Sequence, residues 1–166
     1  MRREVWYGAA GFAAVALAVA VLNLPADIVS DDADSTRETS VVKVFFGNGN
    51  LDPNVSCREV FPVVRTVPKT QAVGQAAVNE LLQGPTDEER AAGYFTNINS
   101  GVALKSLRIA SGTAYADFDE SLEAGIGGSC RVAMTRWQIV ETLRQFPTVQ
   151  NVVLSINGRS EDILQP

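Results

Sequence analysis

Residues 5–24 form a run of twenty residues without a single charged side chain. A helix of that length rises about 30 Å, which is enough to cross the hydrocarbon core of a bilayer. Arg2 and Arg3 precede the run. The positive-inside rule therefore predicts that residues 1–26 are a short cytoplasmic stub and a single-pass membrane anchor, with everything beyond them outside the cytoplasm. The alternative is a cleaved signal peptide, which the length of the run and its poor cleavage site disfavour.

Residues 27–40 are acidic and polar, with almost no large apolar side chain. Such a segment cannot bury enough surface to offset the entropy lost on ordering, so it is predicted to be a flexible linker between membrane and domain. Asp31, Asp32 and Asp34 are close enough in sequence to bind a cation, but their spacing does not match an EF-hand loop. A solvated charge run is the favoured interpretation.

The overall charge balance restricts the classes of partner. The chain has 14 Lys and Arg against 19 Asp and Glu, a net charge of −5, and no histidine. This balance argues against nucleic-acid binding and against broad adhesion to anionic lipid, because both need clustered basic residues. The lack of histidine removes the commonest general base and metal ligand. We therefore expect neither a cofactor nor an enzymatic role.

Residues 41–166 carry the hydrophobic periodicity of a folded domain. Segments rich in β-branched and aromatic residues predict five strands, at 41–46, 59–67, 102–110, 113–118 and 151–156. Helical periodicity predicts two main helices, at 70–83 and 130–146. The predicted fold is α+β, a compact mixed sheet of about five strands with both helices on one face, in the order β-β-α-β-β-α-β.

Several local signals refine this order. Pro62 inside the second strand predicts an edge position or a bulge. Thr86 and Glu89 have the spacing of a capping box that opens a short helical turn. Ser111-Gly112 between the third and fourth strands predicts a β-hairpin.

The order of several motifs resembles the GerMN domain family of sporulation and spore-germination proteins. The motifs that carry the resemblance are Cys57-Arg58-Glu59-Val60-Phe61-Pro62-Val63-Val64-Arg65, Val67-Pro68-Lys69-Thr70, Leu81-Leu82-Gln83-Gly84-Pro85-Thr86 with Glu89 and Gly93, Asp117-Phe118, Gly127-Gly128-Ser129-Cys130, and residues 138–149 (QIVETLRQFPTV). The resemblance covers nearly all of residues 41–166.

The resemblance implies an extracytoplasmic domain whose fold is similar to the ring-building modules of secretion systems. GerM-like proteins of spore formers carry two such domains in tandem and are linked to a trans-envelope complex, whereas this sequence contains one copy. The domain also occurs singly in bacteria that do not sporulate. The resemblance provides no catalytic residues.

Cys57 and Cys130 are the only cysteines in the chain. An even number of cysteines outside the membrane predicts a disulfide, here between the start of the second strand and the start of the second main helix. Two buried free thiols are the alternative. A catalytic thiol or a zinc site is disfavoured because no histidine is present.

Seven further residues are candidates for an interface or a ligand site: Arg65, Tyr94, Phe95, Gly127, Gly128, Ser129 and Arg136. Gly127 and Gly128 precede a helix whose exposed N–H groups favour anions, although the preferred interpretation is a tight turn with Ser129 as the N-cap. Tyr94 and Phe95 would be aromatic anchors if their loop is exposed.

Asp117, Asp119 and Glu120 cluster after the fourth predicted strand. Paired carboxylates can perform acid–base chemistry on glycans, but such clusters at strand ends are usually solvated or capping. An envelope hydrolase is therefore the least favoured function. The favoured one is a membrane-tethered module that binds envelope proteins or other copies of itself. The alternative is a sensor that binds a small molecule or cell-wall glycan.

Overall fold

The computed structural model describes residues 38–165. Within that range no helix is both long enough and apolar enough to cross a bilayer. The anchor predicted at residues 5–24, and nearly all of the linker predicted at residues 27–40, lie outside the described residues.

Six strands and three α-helices form the described part of the chain. In order they are β1 (Thr39–Asn48), β2 (Phe61–Pro68), α1 (Val73–Leu82), α2 (Asp87–Ala91), β3 (Tyr94–Phe95), β4 (Leu104–Ala110), β5 (Thr113–Phe118), α3 (Ser129–Arg144) and β6 (Asn151–Ile156), with a single 3-10 turn at Glu120–Leu122. The α+β class is confirmed, and the five predicted strands and two main helices are all found within a few residues of their predicted limits. The two-residue strand β3 is an addition.

The strands form two sheets, so the prediction of one mixed sheet is wrong. The first sheet has the order β2-β1-β3 and is antiparallel, whereas the second has the order β4-β5-β6 and pairs β5 with β6 in parallel. The reason lies on the second edge of β1. There α3 supplies side chains instead of a strand: Thr142 Oγ1 accepts a bond from Phe45 N–H at 3.2 Å, and Gln145 bonds both the N–H and the C=O of Lys43.

The remaining edge of this sheet, along β2, is interrupted by prolines. Because the N–H groups of Lys43 and Phe45 point away from β2 towards α3, the residues opposite them, Val64 and Pro62, face away from β1. Pro68 has the same parity. Both prolines therefore occupy positions on the free edge where no ladder bond is lost, and the edge position predicted for Pro62 is confirmed.

The predicted turns and caps are present. Ser111 and Gly112 join β4 to β5 with φ of 49° and 77°, the positive values that a tight hairpin turn requires. Thr86 and Glu89 form a reciprocal capping box at the start of α2. The N-cap of α3 differs from the prediction: Gly128 occupies that position with φ of 84°, and no side chain caps the helix. Ser129 is already inside the helix.

The core is contributed by both sheets and both long helices. Its buried apolar residues include Val44 and Phe46 of β1, Val78 and Leu81 of α1, Ala114, Ala116 and Phe118 of β5, Ile139 and Leu143 of α3, and Leu154 and Ile156 of β6. Each long helix thus contacts strands of both sheets rather than one face of a single sheet.

The buried face of α3 also carries a row of polar side chains. Thr135, Gln138 and Thr142 are fully buried, and Gln145 continues the row just beyond the helix. Their three- and four-residue spacing places them on one side. Thr135 bonds the carbonyl of Asn97 and Gln138 bonds Thr96, while the last two bond β1. The side chains of this row therefore bond the edge of β1 and the segment just after β3, in places where no neighbouring strand supplies backbone groups.

Candidate functional site

A groove of about 620 Å³ lies between α3 and β6. One wall consists of the solvent-facing side of α3, and the other is the free edge of β6. The lining residues are Arg58, Ala133, Arg136, Trp137, Val140, Arg144, Asn151, Val152 and Leu154. An indole, aliphatic side chains and three guanidinium groups therefore share one open surface.

The groove is cationic although the whole chain is acidic. None of its lining residues is Asp or Glu. Within residues 38–165, no carboxylate lies within ion-pairing distance of Arg58 or Arg136, while Arg144 has a loose contact with Glu141 at 3.6 Å. Arg136 donates one hydrogen bond, of 2.8 Å, to the carbonyl of Ile163, which fixes its direction. Among the described residues, neither Arg136 nor Arg58 therefore has a carboxylate partner.

The position of Arg58 depends on the disulfide. Cys57 and Cys130 are bonded, with their Cα atoms 4.9 Å apart, which confirms the predicted pairing. The bridge ties the long loop between β1 and β2 to the first turn of α3. Arg58 follows Cys57 directly, and it lines both the groove and a smaller cavity of about 250 Å³ around the bridge. The disulfide therefore holds a cation of the β1–β2 loop over the surface of α3.

A family model described as "Germane: Sporulation and spore germination" matches residues 43–162. The chain belongs to the Germane family. The GerMN resemblance of the sequence motifs is thereby confirmed. Both halves of the groove, from Arg58 to Leu154, lie inside the matched Germane region.

Known proteins similar to this Germane domain include two larger ones. The chain is 26% identical to the lipoprotein LpqB of Thermobifida fusca over 143 residues, which are 86% of this chain and 22% of LpqB. It is 32% identical to the spore germination protein GerM of Bacillus subtilis over 89 residues, 52% of this chain and 24% of GerM. The chain thus corresponds to about a quarter of the length of either relative.

The solved structure of the tandem GerMN domains of the sporulation protein GerM from Bacillus subtilis has the same fold. It superposes with a TM-score of 0.58 at 25% identity, over 74% of this chain and 40% of that one.

The structure places Arg65 away from the groove of the Germane domain. Its guanidinium forms a two-point ion pair with Glu89, with one N–O distance of 2.6 Å, and lies 3.7 Å from Glu80. Only 13% of the Arg65 side chain is exposed. The hydrogen bond that Arg65 donates lowers the pKa of Glu89, and Glu89 also caps α2. Arg65 therefore joins β2 to α1 and α2.

Tyr94 and Phe95 form strand β3 rather than a loop. Phe95 is 36% exposed and Tyr94 is half-buried. The Phe95 ring lies so close to Gly47 that a Cβ atom there would be 2.4 Å from its Cζ. One side of the ring thus packs against Gly47, and the other side is exposed. Its interface role stays a prediction.

The glycine-rich loop before α3 adjoins the groove without lining it. Gly127 and Gly128 are exposed. Ser129 lines the small cavity beside the disulfide together with Cys57 and Cys130. Arg136 is the one predicted candidate that the structure places in the groove itself.

The carboxylates at the end of β5 and just after it bind neighbouring segments of the chain. Asp117 accepts bonds from Ser155 Oγ at 2.6 Å and Gly158 N–H at 2.7 Å, and the first of these does most to lower its pKa. Asp119 accepts the N–H of Ala103. Within the described range, no group of three or more potential ligand side chains is arranged to hold a metal ion.

Sequence reasoning missed Arg58, Trp137 and Arg144 as members of a site. Arg136, Val140 and Arg144 recur every four residues, which places their side chains on one face of a helix. That spacing could have indicated a basic stripe on α3. The contribution of Arg58 depends on a contact across 73 residues of sequence and had no local signal.

Proposed function

We propose that this chain is a membrane-tethered, extracytoplasmic, non-catalytic interaction module of a cell-envelope assembly. Membership of a family described by sporulation and spore germination supports an envelope role in the manner of GerM. Similarity to a protein named as a lipoprotein supports attachment to a membrane, which the uncharged run at residues 5–24 would provide here.

The observation that carries the proposal is the open groove, whose Arg58 and Arg136 have no carboxylate partner within residues 38–165. Within residues 38–165, two guanidinium groups without a carboxylate partner lie beside the half-buried indole of Trp137. Arginine and tryptophan are the residue types that are enriched at binding surfaces. Nothing in the fold of residues 38–165 needs these side chains in their present positions, except for one hydrogen bond from Arg136. A partner that neutralises them explains their arrangement.

Position-specific photo-crosslinking of the full-length protein in its native membrane tests this function. A photoreactive residue replaces Ala133, which lines the groove, and in a matched control it replaces Gln75, which is exposed on α1. We expect discrete crosslinked products from position 133, to an envelope protein or to a second copy, and fewer from position 75. A complete lack of protein crosslinks from both positions would contradict the interaction function.

The second candidate function is a sensor for a small molecule or cell-wall glycan. The volume of the groove falls within the range typical of small-ligand sites, about 300–1,000 Å³. Soluble muropeptides, which carry carboxylates, are the appropriate probes. A ligand bound at a hundred times its dissociation constant stabilises the fold by about 2.7 kcal/mol, so the melting temperature of the full-length protein would rise measurably. No shift at millimolar concentration would exclude these ligands.

A further inference from the structure

We propose that the groove binds an acidic, extended polypeptide segment, which joins the second sheet as a fourth strand along the free edge of β6. This inference rests on the proposed interaction function and specifies the class of its ligand. Three independent features of the groove support it: the backbone of β6, the charge on α3 and on the disulfide-tethered loop, and the apolar surface between them.

The backbone groups of β6 that face the groove have no partner in the described residues. Asn151 N–H and Asn157 N–H donate towards the β4–β5 hairpin and β5, to the carbonyls of Gly112 and Phe118. Ile156 N–H points to the opposite side, where it bonds Arg159. Because successive residues of a strand alternate in direction, Val152 and Leu154 also direct their N–H and C=O groups away from β5. Neither forms any other backbone bond within residues 38–165.

These unpaired groups select a polypeptide over a simple anion. Val152 and Leu154 offer two donors and two acceptors in a row at strand spacing. A phosphate or an isolated carboxylate could accept from the N–H groups but could not donate to the carbonyls. An extended backbone satisfies both, which is the basis of recognition by strand addition.

The charge of the flanking wall selects an acidic segment. In the part of the chain that the structure describes, Arg58 and Arg136 have no carboxylate partner and Arg144 is only loosely paired. None of the lining residues is acidic, so a carboxylate that enters the groove would meet no like charge there. Arginine–carboxylate bonds are charge-assisted and frequently bidentate. Trp137 and Val140 form an apolar floor for the alternate side chains of a strand. Acidic and apolar residues in alternation fit this combination.

Peptide binding to the full-length protein in detergent micelles tests the proposal. The probe is a fluorescently labelled ten-residue peptide of alternating Glu and Val, compared with a Lys and Val peptide of equal length. We expect the acidic peptide to bind at least about tenfold more tightly, with an affinity that falls as salt is raised. Trp6→Phe leaves Trp137 as the sole tryptophan, and its emission should change on binding.

Charge-matched variants assign the binding to the groove. Arg58→Gln/Arg136→Gln should weaken the acidic peptide by about tenfold or more, because two charge-assisted contacts are lost. Lys43→Gln/Arg108→Gln removes the same charge elsewhere, since Arg108 stacks on Tyr115 at 4.4 Å outside the groove. This control should bind normally. Equal affinities for both variants, or for acidic and basic peptides, would overturn the proposal.

Backbone methylation distinguishes strand addition from simple charge attraction. Two versions of the acidic peptide are N-methylated at odd or at even positions, so that one of them presents no N–H groups to β6. We expect one version to lose binding and the other to retain it. Retention by both would reject strand addition. Binding of soluble muropeptides without any binding of the acidic peptide would reject a polypeptide ligand. Photo-crosslinks from position 133 that persist in Arg58→Gln/Arg136→Gln would leave the interaction function standing while rejecting this ligand class.

Discussion

Glu89 takes part in two interactions at once. Its carboxylate accepts the N–H of Thr86 at 2.9 Å in the capping box of α2, and it forms the ion pair with Arg65 on β2. Both side chains are largely buried, at 16% and 13% exposure. A charge removed from such a pair leaves its partner poorly compensated, which costs more than the pair contributes when intact.

We expect Glu89→Gln to lower the free energy of unfolding by about 2 kcal/mol at pH 7, because a charge-assisted bond is lost while the amide oxygen can still cap α2. Urea unfolding measures the change. Glu88→Gln, an exposed neighbour without an ion pair in the described residues, is the matched control and should have little effect.

The same variant should alter the acid dependence of stability. Arg65 holds the pKa of Glu89 below its ordinary value of about 4.5. The folded state therefore binds this proton less readily than the unfolded chain, and the stabilisation is lost as pH falls from that ordinary value through the lowered pKa. The slope of unfolding free energy against pH in this window should be smaller in Glu89→Gln. Parallel curves would show that the ion pair does not set the dependence.

At the scale of elements, side chains of α3 and of its C-cap residue bond the edge of β1 that has no neighbouring strand there. Thr142 and Gln145 bond the edge of β1 where a neighbouring strand would otherwise pair. This arrangement limits the first sheet to three strands and keeps it apart from the second. It also explains in physical terms why residues 138–149 carry so much of the family resemblance: part of that block is a hydrogen-bonding surface for β1.

We expect Thr142→Val to lower the free energy of unfolding by about 1–3 kcal/mol, because the partly buried N–H of Phe45 would lose its acceptor. Amide hydrogen exchange at Phe45 should accelerate more than exchange elsewhere in β1. Thr148→Val changes an exposed threonine in the same way and should be nearly neutral. Exchange at Phe45 that is unchanged in Thr142→Val would refute the role of this hydroxyl.

Elements with local signals could be predicted from the sequence, and the division into sheets could not. Ser111-Gly112 specifies its hairpin through the positive φ that both residues adopt, and Thr86 with Glu89 specifies the start of α2. The polar row of α3 could not be recognised from the sequence, because polar residues such as Gln138 and Thr142 normally face solvent, whereas here they are buried. Its partners on β1 are about a hundred residues distant, beyond any periodicity argument.

At the scale of the whole molecule, the disulfide closes a loop with a sequence separation of 73 residues. That loop contains β2, both early helices and the β4–β5 hairpin. Cross-linking so long a segment removes much of the freedom of the unfolded chain, by roughly 4 kcal/mol in the chain-entropy description. The bridge also places Arg58 in the groove, so stability and the candidate site depend on the same covalent bond.

We expect Cys57→Ser/Cys130→Ser to lose roughly 4 kcal/mol of unfolding free energy, as measured by urea unfolding. Addition of a reductant should shift the unfolding of the native protein towards that of the variant and leave the variant itself unchanged. Identical midpoints for the oxidised protein and the variant would show that the bridge is dispensable for stability.

The prolines of β2 have a consequence for self-association. Pro62 and Pro68 have no N–H group to donate on the free edge of β2, so only Val64 and Thr66 offer N–H groups there. A strand of another molecule therefore cannot pair along the full length of β2. The edge of β6 contains no proline. A guest strand on β6 would therefore extend the second sheet, whereas β2 of the first sheet offers another molecule no full-length edge. This asymmetry allows strand recognition at β6 while it prevents β6 of one molecule from pairing in full with β2 of another.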